Sequence, residues 1–305
     1  MLVRRHVVVF GSLNMDMVVR VPRMPQAGET LSGRGFFSNP GGKGANQAVA
    51  CARQGGQVRM VGRVGDDVFG SQLRAAVLAQ GVDVERVTTS ADASTGVAMV
   101  MVDDTAQNCI AVVPGANASV SVADAEALRD WLPEAGLLLL QLEVPIAAVE
   151  RAALMAREGG CTVLLNPAPA QALPEAVWPL VDILVLNETE AQLLSGMPMV
   201  DTSNAGHAAA LLLRRGPRHV VVTLGAQGVV WGSAAGTWHL AAHKVQAVDT
   251  TAAGDTFIGA LGALLVEGRT MEQALAHAIR AAAICVTRAG AQASMPLREE
   301  VESWI

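Results

Sequence analysis

The chain has 305 residues and a formal net charge of −6, from 22 Lys and Arg against 28 Asp and Glu. This acidity argues against nucleic acid or an anionic membrane as the main partner. A content of 51% apolar and 16% charged residues excludes a disordered chain. Only 3% of residues are aromatic, so we expect little aromatic stacking on a ligand.

Short apolar, β-branched runs alternate with helical patterns along most of the chain. The predicted strands are residues 7–11, 58–64, 137–142, 162–166, 182–187 and 219–224. The predicted helices are residues 45–54, 69–79, 123–131, 146–157, 188–194, 205–214, 254–267 and 271–287. Strands that are apolar on both faces and alternate with helices are typical of a doubly wound α/β fold with a mostly parallel sheet.

Two stretches interrupt this alternation and are predicted to form antiparallel hairpins. Residues 15–21 pair with 29–37, and residues 96–102 pair with 108–113 through a turn at 103–107. They are expected to form a small β layer over one end of the main sheet. Without a repeat or a long linker, residues 1–305 are predicted to be a single domain that includes this layer.

Export and membrane signals are not seen in the sequence. The apolar run 7–10 is too short for a signal peptide, and the longest apolar stretches are strand-sized. The cysteines Cys51, Cys109, Cys161 and Cys285 are widely spaced and have no metal-ligand spacing. We interpret them as small reduced core residues, and we therefore expect a cytoplasmic protein.

The segment 39–48, NPGGKGANQA, opens a predicted helix with three glycines. Glycine lets the backbone approach a ligand, and the start of a helix offers N–H donors that the helix does not use. The spacing matches neither a Walker A loop nor a dinucleotide fingerprint. On this pattern alone, a ligand loop and a glycine-rich helix cap are equal alternatives.

The segment 249–257, DTTAAGDTF, begins a helix of small residues and places Asp255 in its first turn. Small residues at a helix N-terminus can present several N–H groups to an anion. The helix dipole stabilises a carboxylate there, which could accept a proton from a hydroxyl group. An anion cradle beside a base is what phosphoryl transfer to an alcohol requires, although an ordinary acidic first turn remains an equal alternative.

Polar side chains follow several predicted strands. Asn14 and Asp16 lie two residues apart and so face the same side, and Glu143 occupies an equivalent strand end. Amides and carboxylates suit a polyol ligand. Asn187 and Glu190 lie one helical turn apart and can face one site, although Asn187 could equally cap a helix.

Taken in order, these and other motifs resemble those of the ribokinase family of sugar and nucleoside kinases over nearly the whole chain. The motifs are GSLNMD at 11–16, GGKGANQA at 41–48, STGVA at 94–98, QLEVP at 141–145, NPAPA at 166–170, NETEA at 187–191, TLGAQG at 223–228, VDTTAAGD at 248–255 and VTRAGAQ at 286–292. Each motif is weak alone, but the ordered set is specific. The resemblance implies a ribokinase-like α/β fold with a small antiparallel β lid at about 15–38 and 95–113.

The resemblance implies an ATP-dependent kinase that phosphorylates the primary hydroxyl of a sugar, D-ribose in the first place, giving D-ribose 5-phosphate. Asp255 matches the general base, and Ala252, Ala253 and Gly254 match the anion hole. The positions that match the sugar site are Asn14, Asp16, Gly42, Lys43, Asn46, Glu143 and Asp255. The positions that match the ATP site are Asn187, Thr223, Gly225, Gly228 and Gly254.

The resemblance also implies Mg²⁺, linked to Glu190, and K⁺ as an activating monovalent cation. The positions that match the potassium loops, mostly through backbone carbonyls, are Asp249, Thr251, Cys285, Arg288, Gly290 and Ser294. The β lid of this family often pairs two subunits into a homodimer. One region departs from the family pattern, because His277 and Ile279 fall where a polar residue usually lies near adenine.

Other functions stay open. The acceptor could be deoxyribose, fructose, a keto-deoxy acid or a nucleoside, although the scarcity of aromatic residues weakens the nucleoside. A non-catalytic sugar or nucleotide sensor would be expected to lose Asp255 or Gly254, and both are present. A nicotinamide-dependent dehydrogenase would need a GxGxxG motif after the first strand, where residues 11–14 read GSLN.

Overall fold

The computed structural model describes residues 6–105 and 107–304. The strands are β1 His6–Phe10, β2 Asn14–Arg20, β3 Gly35–Gly41, β4 Gln57–Gly65, β5 Asp83–Ser90, β6 Gly96–Val102, β7 Asn108–Val113, β8 Ala135–Leu140, β9 Thr162–Leu165, β10 Ile183–Asn187, β11 His219–Thr223, β12 Val229–Ser233 and β13 Gly236–Leu240. The α-helices are α1 Lys43–Arg53, α2 Val68–Ala79, α3 Val122–Glu126, α4 Ile146–Glu158, α5 Glu188–Ser195, α6 Ala205–Leu213, α7 Ala253–Val266, α8 Met271–Cys285 and α9 Arg298–Ser303.

The main sheet has nine strands in the order β13-β12-β11-β10-β9-β8-β1-β4-β5. Every pair from β11 to β5 is parallel, and β12 and β13 add an antiparallel edge. Val7, Val8, Val9 and Phe10 of β1 are completely buried, as expected for a central strand covered by helices on both faces. The predicted mostly parallel α/β fold is therefore confirmed. The chain leaves β1 to β4 on one side and later returns to β8 on the other, which creates a crevice at the carboxyl ends of the strands.

Helices α1 and α7 pack closely against each other on one face of this sheet. A Cβ atom on Gly259 of α7 would come within 2.6 Å of the Ala50 side chain and the Cys51 backbone nitrogen in α1. The glycine therefore lets the two helices approach, and their N-termini are fixed relative to one another. Because α1 starts at Lys43 and α7 starts at Ala253, this packing sets the distance between the two glycine-rich motifs.

A second sheet has the strand order β3-β2-β6-β7. The β2–β3 and β6–β7 pairs are antiparallel, as predicted, and a parallel β2–β6 pair joins them. Strand β2 begins four residues after β1 ends, so this sheet extends from the carboxyl end of the main sheet. The strand predicted at 29–37 lies instead at Gly35–Gly41, because Asn14 to Arg20 pair with that segment along their whole length.

Some elements differ from the sequence-based predictions. Strands β5, β12 and β13 and helix α9 were not predicted, and the helix predicted at 123–131 is α3 followed by a 3₁₀ turn at Ala127–Asp130. The predicted turn at 103–107 and the predicted single domain 1–305 include residues 1–5, 106 and 305, which lie outside the described residues. In the part of the chain that the structure describes, no helix has the length and apolarity needed to cross a bilayer.

Candidate active site

The chemistry-bearing residues gather where the parallel strands end. Asn14 follows β1, Glu143 follows β8, Asn187 ends β10 and Thr223 ends β11. The N-termini of α1 and α7 enter the same region and bring Lys43 and Asp255 to it. The sequence motifs that seemed separate along the chain therefore meet at one edge of the sheet.

Asp255 lies in the first turn of α7 and is held by amide groups on both carboxylate oxygens. Asn46 Nδ2 donates to Oδ2 at 3.0 Å, and Gln47 Nε2 donates to Oδ1 at 3.1 Å. Desolvation raises the pKa of Asp255, while nearby Lys43 and the two amide donors act to lower it. The carboxylate is therefore oriented, and its remaining lone pairs are available to a hydroxyl donor.

Glu143 is bound by three donors from the first strand end and from α1. Its Oε2 atom accepts from Ser12 Oγ at 2.5 Å, from the Lys43 backbone nitrogen at 3.0 Å and from Asn14 Nδ2 at 3.5 Å. The Asn14 amide is itself oriented, because Asn117 Nδ2 donates to its Oδ1 at 2.8 Å. Hydrogen bonds therefore fix Glu143 and Asn14 side by side as one polar surface of the site.

Asp16 lies on β2 with its carboxylate pressed against Gly41, where any side chain would overlap it. Within the described residues, no hydrogen-bond donor contacts this carboxylate. Desolvation, followed by repulsion from Glu143 and Asp255, raises the pKa of Asp16 to about 7, and Lys43 opposes this rise. An unpaired and desolvated carboxylate of this kind is a site for hydroxyl donors of a ligand.

Lys43 is the cation at the centre of these carboxylates. Desolvation acts to lower its pKa, but Asp255, Glu143, Glu190 and Asp16 together raise it above the ordinary value. Lys43 is therefore a charged ammonium group at neutral pH. It follows Gly42, which has φ 88° and lies so close to the backbone of residues 13 and 14 that a Cβ would overlap them.

A cleft of about 250 Å³ opens beside Asp255. Its lining comprises Lys43, Asn166, Ala168, Val185, Leu186, Asn187, Glu190, Thr223, Thr250, Ala252, Ala253, Gly254, Asp255 and Ile258. The cleft therefore brings together the predicted base, the predicted anion-hole residues and three predicted ATP positions. Ala252, at φ 60°, is the non-glycine residue of the described chain with a left-handed conformation, and it turns the backbone into α7.

Asn187 and Glu190 form the reciprocal cap of α5. The Asn187 Oδ1 atom accepts from the Glu190 backbone nitrogen at 2.9 Å, and Glu190 Oε2 accepts from the Asn187 backbone nitrogen at 2.9 Å. Both interpretations of Asn187 therefore apply, because it caps the helix and also lines the cleft. Glu190 is buried, and this desolvation raises its pKa.

Two predicted ATP positions lie away from the cleft lining. Gly225 and Gly228 form the turn after β11, with φ 53° and φ 94°, and a Cβ on Gly228 would overlap the Leu240 carbonyl oxygen. His277 and Ile279 are also outside the cleft lining. His277 contacts Gln54 at 2.8 Å in the interior, and Ile258 of α7 lines the cleft instead.

The residues that match the potassium loops come together behind the N-terminus of α7. Asp249 accepts from the backbone nitrogens of Thr251 at 2.9 Å and Gly290 at 3.0 Å, and these bonds lower its pKa against the effect of burial. Cys285 Sγ lies 3.1 Å from Ser294 Oγ. Arg288 instead points to Glu300, with which it forms an ion pair at 2.5 Å.

Sequence reasoning missed several buried amides that support the site. Gln47 contacts Asp255 directly, beside the predicted Asn46, whereas Gln141, Asn166 and Gln292 contact these two amides. Gln47 and Gln141 lie inside the motifs at 41–48 and 141–145, so the motifs contained the signal. A single amide on an apolar helix or strand has no spacing partner that would have marked it.

A family model of pfkB family carbohydrate kinases matches residues 4–298. The chain belongs to this family of carbohydrate kinases. The resemblance drawn from the ordered motifs is therefore confirmed, and the chain is a carbohydrate kinase.

Within the family, the chain is similar to relatives with two activities. It is 42% identical to the ribokinase of Schizosaccharomyces pombe over 97% of this chain and 96% of that protein. It is 36% identical to the deoxyribokinase of Salmonella typhi over 98% of both chains. Among solved structures, Arabidopsis thaliana ribokinase complexed with ribose and ATP superposes with a TM-score of 0.91, at 34% identity and 97% coverage of each chain.

The raised pKa of Asp16 predicts an effect on stability. An unfolded chain ionises this group near the ordinary aspartate pKa of 3.8, whereas the folded chain ionises it at about 7, so ionisation destabilises the fold. The stability that protonated Asp16 contributes is complete below about pH 4. It falls as the pH rises and is gone above about pH 7. Asp16→Asn should therefore be more stable than the parent at pH 8 by about 1–3 kcal/mol, with a smaller difference at pH 5.

Urea denaturation at the two pH values measures this difference. Asp201→Asn is the control of opposite sign, because hydrogen bonds from the Ser203 side chain and backbone lower the pKa of Asp201. That variant should lose stability equally at pH 5 and pH 8. Equal stability of Asp16→Asn and the parent at pH 8 would contradict the prediction.

Proposed function

We propose that this chain is an ATP-dependent kinase that phosphorylates the primary hydroxyl of D-ribose to give D-ribose 5-phosphate. The observation that carries the proposal is the position of Asp255. Its oriented carboxylate lies in the N-terminal turn of α7, close enough to the unpaired carboxylate of Asp16 for the two to repel each other. A polyol and a phosphate group can therefore reach the same base. The similarity to ribokinases over 97% of the chain supports ribose as the acceptor.

The proposed reaction begins with the sugar held by Asn14, Asp16, Asn46 and Glu143, together with the Gly42–Lys43 backbone. Asp16 and Glu143 accept hydrogen bonds from ring hydroxyls, and the oriented amides contribute donors. Asp255 then accepts the proton of the primary hydroxyl as the hydroxyl oxygen attacks the γ-phosphorus of ATP, while the bond from the γ-phosphorus to the β–γ bridging oxygen breaks and ADP leaves. The positive charge of Lys43 lies within reach of the same region and offsets the negative charge that develops there.

Backbone N–H groups at the start of α7 are proposed to stabilise the transferring phosphoryl group. Among Ala252, Ala253 and Gly254, the Ala253 nitrogen already donates to the Thr250 carbonyl oxygen at 3.3 Å. We therefore assign the main donor role to Gly254, where a Cβ would meet no described atom within 4 Å. This open space, next to the positive end of the helix dipole, suits an anion.

We propose that the nucleotide lies along Asn187 and Thr223 and over the glycine turn of Gly225 and Gly228. The cleft lining at Asn187, Thr223 and Gly254 supports this direction. Glu190 would help to hold Mg²⁺, which when bound would neutralise negative charge on the phosphates. The resemblance is the basis for Gly225 and Gly228, which lie beyond the cleft lining.

An activating K⁺ is proposed at the loops that carry Asp249, Thr251, Cys285, Arg288, Gly290 and Ser294. The donor set fits a hard monovalent cation, because it offers a carboxylate and backbone carbonyls from two loops that a hydrogen bond from Gly290 to Asp249 holds together. No cluster of three or more His, Cys, Asp or Glu side chains suited to a metal occurs among the described residues. When bound, the ion would supply positive charge behind the anion hole.

Deoxyribose is the second candidate acceptor. The deoxyribokinase of Salmonella typhi is similar to this chain over 98% of its length, and its name states that activity. The two sugars differ only in the 2-hydroxyl group. Asp16 favours ribose, because an unpaired desolvated carboxylate gains most from a ligand that supplies more hydroxyl donors.

An ADP-release assay over ribose, deoxyribose, fructose, other sugars and nucleosides tests the proposed function. With ATP and Mg²⁺, ribose should give the highest kcat/KM, and added K⁺ should raise the rate with ribose. The same mixture without acceptor is the control for ATP hydrolysis. No response to ribose would exclude ribose as the substrate, and no response to any acceptor would exclude kinase activity.

Substitution of the proposed base separates catalysis from binding. Asp255→Asn should lower kcat with ribose by about 10²–10⁴-fold, because the amide cannot accept the proton. Ribose binding measured by calorimetry should largely survive. Glu272→Gln is the matched control, because Glu272 is also an acidic residue in the first turn of a helix, α8, outside the site. Loss of binding with unchanged turnover would overturn the assignment of Asp255.

We further propose that the second sheet acts as a lid on a single-domain, cytoplasmic enzyme and pairs two chains into a homodimer. By strand register, Phe37, Val18, Val100 and Ile110 form one row across this sheet, on the same face as Asp16. Phe37 is 39% exposed and Ile110 is 54% exposed. An apolar row of this kind, continuous with the sugar site, favours a covering partner.

Ile110→Asp tests the homodimer. A charge in this row should convert a dimer into a monomer in analytical ultracentrifugation, because it would be desolvated in the interface. Leu78→Asp is the control, since Leu78 is equally exposed but lies on α2, outside the second sheet. A monomeric parent protein, or an Ile110→Asp variant that remains dimeric, would contradict the proposed interface.

A further inference from the structure

Gln47 is completely buried in α1, and both N–H groups of its side chain are in use. Its Nε2 atom lies 3.1 Å from Asp255 Oδ1 and 3.1 Å from Asn166 Oδ1. Its Oε1 atom therefore points away from Asp255, toward the end of β8. There it accepts from Gln141 Nε2 at 2.7 Å.

Gln141 is also completely buried, and its remaining polar atom is unusual. Among the described residues, Gln141 Oε1 has no hydrogen-bond partner. It packs against Gly11 so closely that a Cβ on Gly11 would overlap it. Buried acceptors without a donor are uncommon, because they lose their hydration without a replacement.

The role of Asp255 as a base, which requires an ionised carboxylate, explains this unpaired acceptor. A carboxylate only accepts, so Gln47 must turn its NH₂ group toward Asp255 and its carbonyl toward Gln141. Gln141 must then present its own NH₂ group, which leaves its carbonyl without a donor. Asn166 enforces the same direction, because its Nδ2 donates to the Val185 carbonyl at 3.0 Å and leaves Oδ1 to accept from Gln47.

We propose that Gln141 and Gln47 form a polarised amide relay that holds the Asp255 carboxylate ionised and aimed at the cleft. The role of Asp255 as the base rests on the proposed function. Gln47 and Gln141 are positioning residues, since Gln47 contacts Asp255 and Gln141 acts through Gln47. Gln47 lies in the same α1 helix as the sugar-site residues Lys43 and Asn46, and Gln141 directly follows β8.

The relay has a consequence for the pH dependence of the reaction. Hydrogen bonds to the charged form of an acid favour that form, so the Gln47 bond lowers the pKa of Asp255 against the opposing effect of desolvation. The base works only when ionised, and the rate falls as the pH drops through its pKa. The other charged groups that act on Asp255 are Lys43, Glu143, Asp16 and Glu190, and Asn46 also donates to it. All of them are unchanged when the relay is removed.

Gln47→Met and Gln141→Met remove the amides while keeping similar side-chain volume. Gln47→Met should lower kcat with ribose by about 10- to 100-fold near neutral pH, the usual effect of losing a hydrogen bond to a charged group. The acid limb of its pH profile for kcat/KM should move to higher pH, with the KM for ATP nearly unchanged. Gln141→Met should act in the same direction but less, and the double variant should be no worse than Gln47→Met.

Gln54→Met is the matched control. Gln54 is a buried glutamine at the end of the same helix, but it contacts His277 and the Pro296 carbonyl outside the cleft. Gln54→Met should leave the acid limb of the kcat/KM profile at the pH of the parent protein. An unshifted acid limb in Gln47→Met, or equal profiles for Gln47→Met and Gln54→Met, would overturn the relay.

A direct titration of Asp255 does not depend on activity. The ¹³C resonance of its carboxyl group, followed against pH without substrate, should titrate at higher pH in Gln141→Met than in the parent protein. Gln141→Met keeps both residues that donate to Asp255, Asn46 and Gln47, so it tests the relay even if Gln47→Met does not fold. Equal titration overturns the relay, whereas a shifted titration in a protein that phosphorylates no acceptor supports the relay and refutes the proposed function.

Discussion

The site depends on holding four carboxylates around one ammonium group at the end of an apolar sheet. Asp16, Glu143, Glu190 and Asp255 all act on Lys43, and together they raise its pKa. Burial acts on the acids as well: desolvation raises the pKa of Asp16, Asp255 and Glu190, and Lys43 opposes each rise. Such a cluster opposes folding, because a desolvated charge that lacks full compensation costs several kcal/mol. The fold tolerates this cost because a nine-stranded sheet with completely buried central strands and the close α1–α7 packing supply a large apolar core.

Amides, rather than further cations, keep the cluster in order. Asn117 orients Asn14, and Gln292 donates to Asn46 Oδ1 at 3.1 Å, so that the free NH₂ group of Asn46 faces Asp255. An amide can donate to a carboxylate without adding positive charge, and its own carbonyl fixes its direction through a second neighbour. Lys43 therefore remains the central cation of the cluster, and the carboxylates of Asp16 and Asp255 remain available to a ligand instead of being closed into ion pairs.

The sequence predicts the parts of this structure that depend on local pattern. Fully apolar runs predict the parallel strands, because a covered sheet needs apolar side chains on both faces. Strands β5 and β13 escape prediction because they are the two edge strands of the sheet and mix polar with apolar residues. Glycine and carboxylate motifs predict the groups that a ligand would contact. The supporting amides escape prediction because Gln47 and Gln141 are 94 residues apart and meet only after β8 and α1 pack side by side.

The same acidity that suits a sugar creates the problem of binding a nucleotide. A triphosphate that approaches this cleft meets the carboxyl groups of Asp255 and Glu190, so its affinity must come from backbone N–H groups, from Lys43 and from bound cations. Each of these sources lies at a helix start or a loop fixed by the α1–α7 packing. A cover that excludes water would strengthen all of them at once, because the attraction between charges grows as the local dielectric constant falls. The second sheet, which we propose as that cover, carries Asp16 on one face and continues outward as an exposed apolar row on the same face.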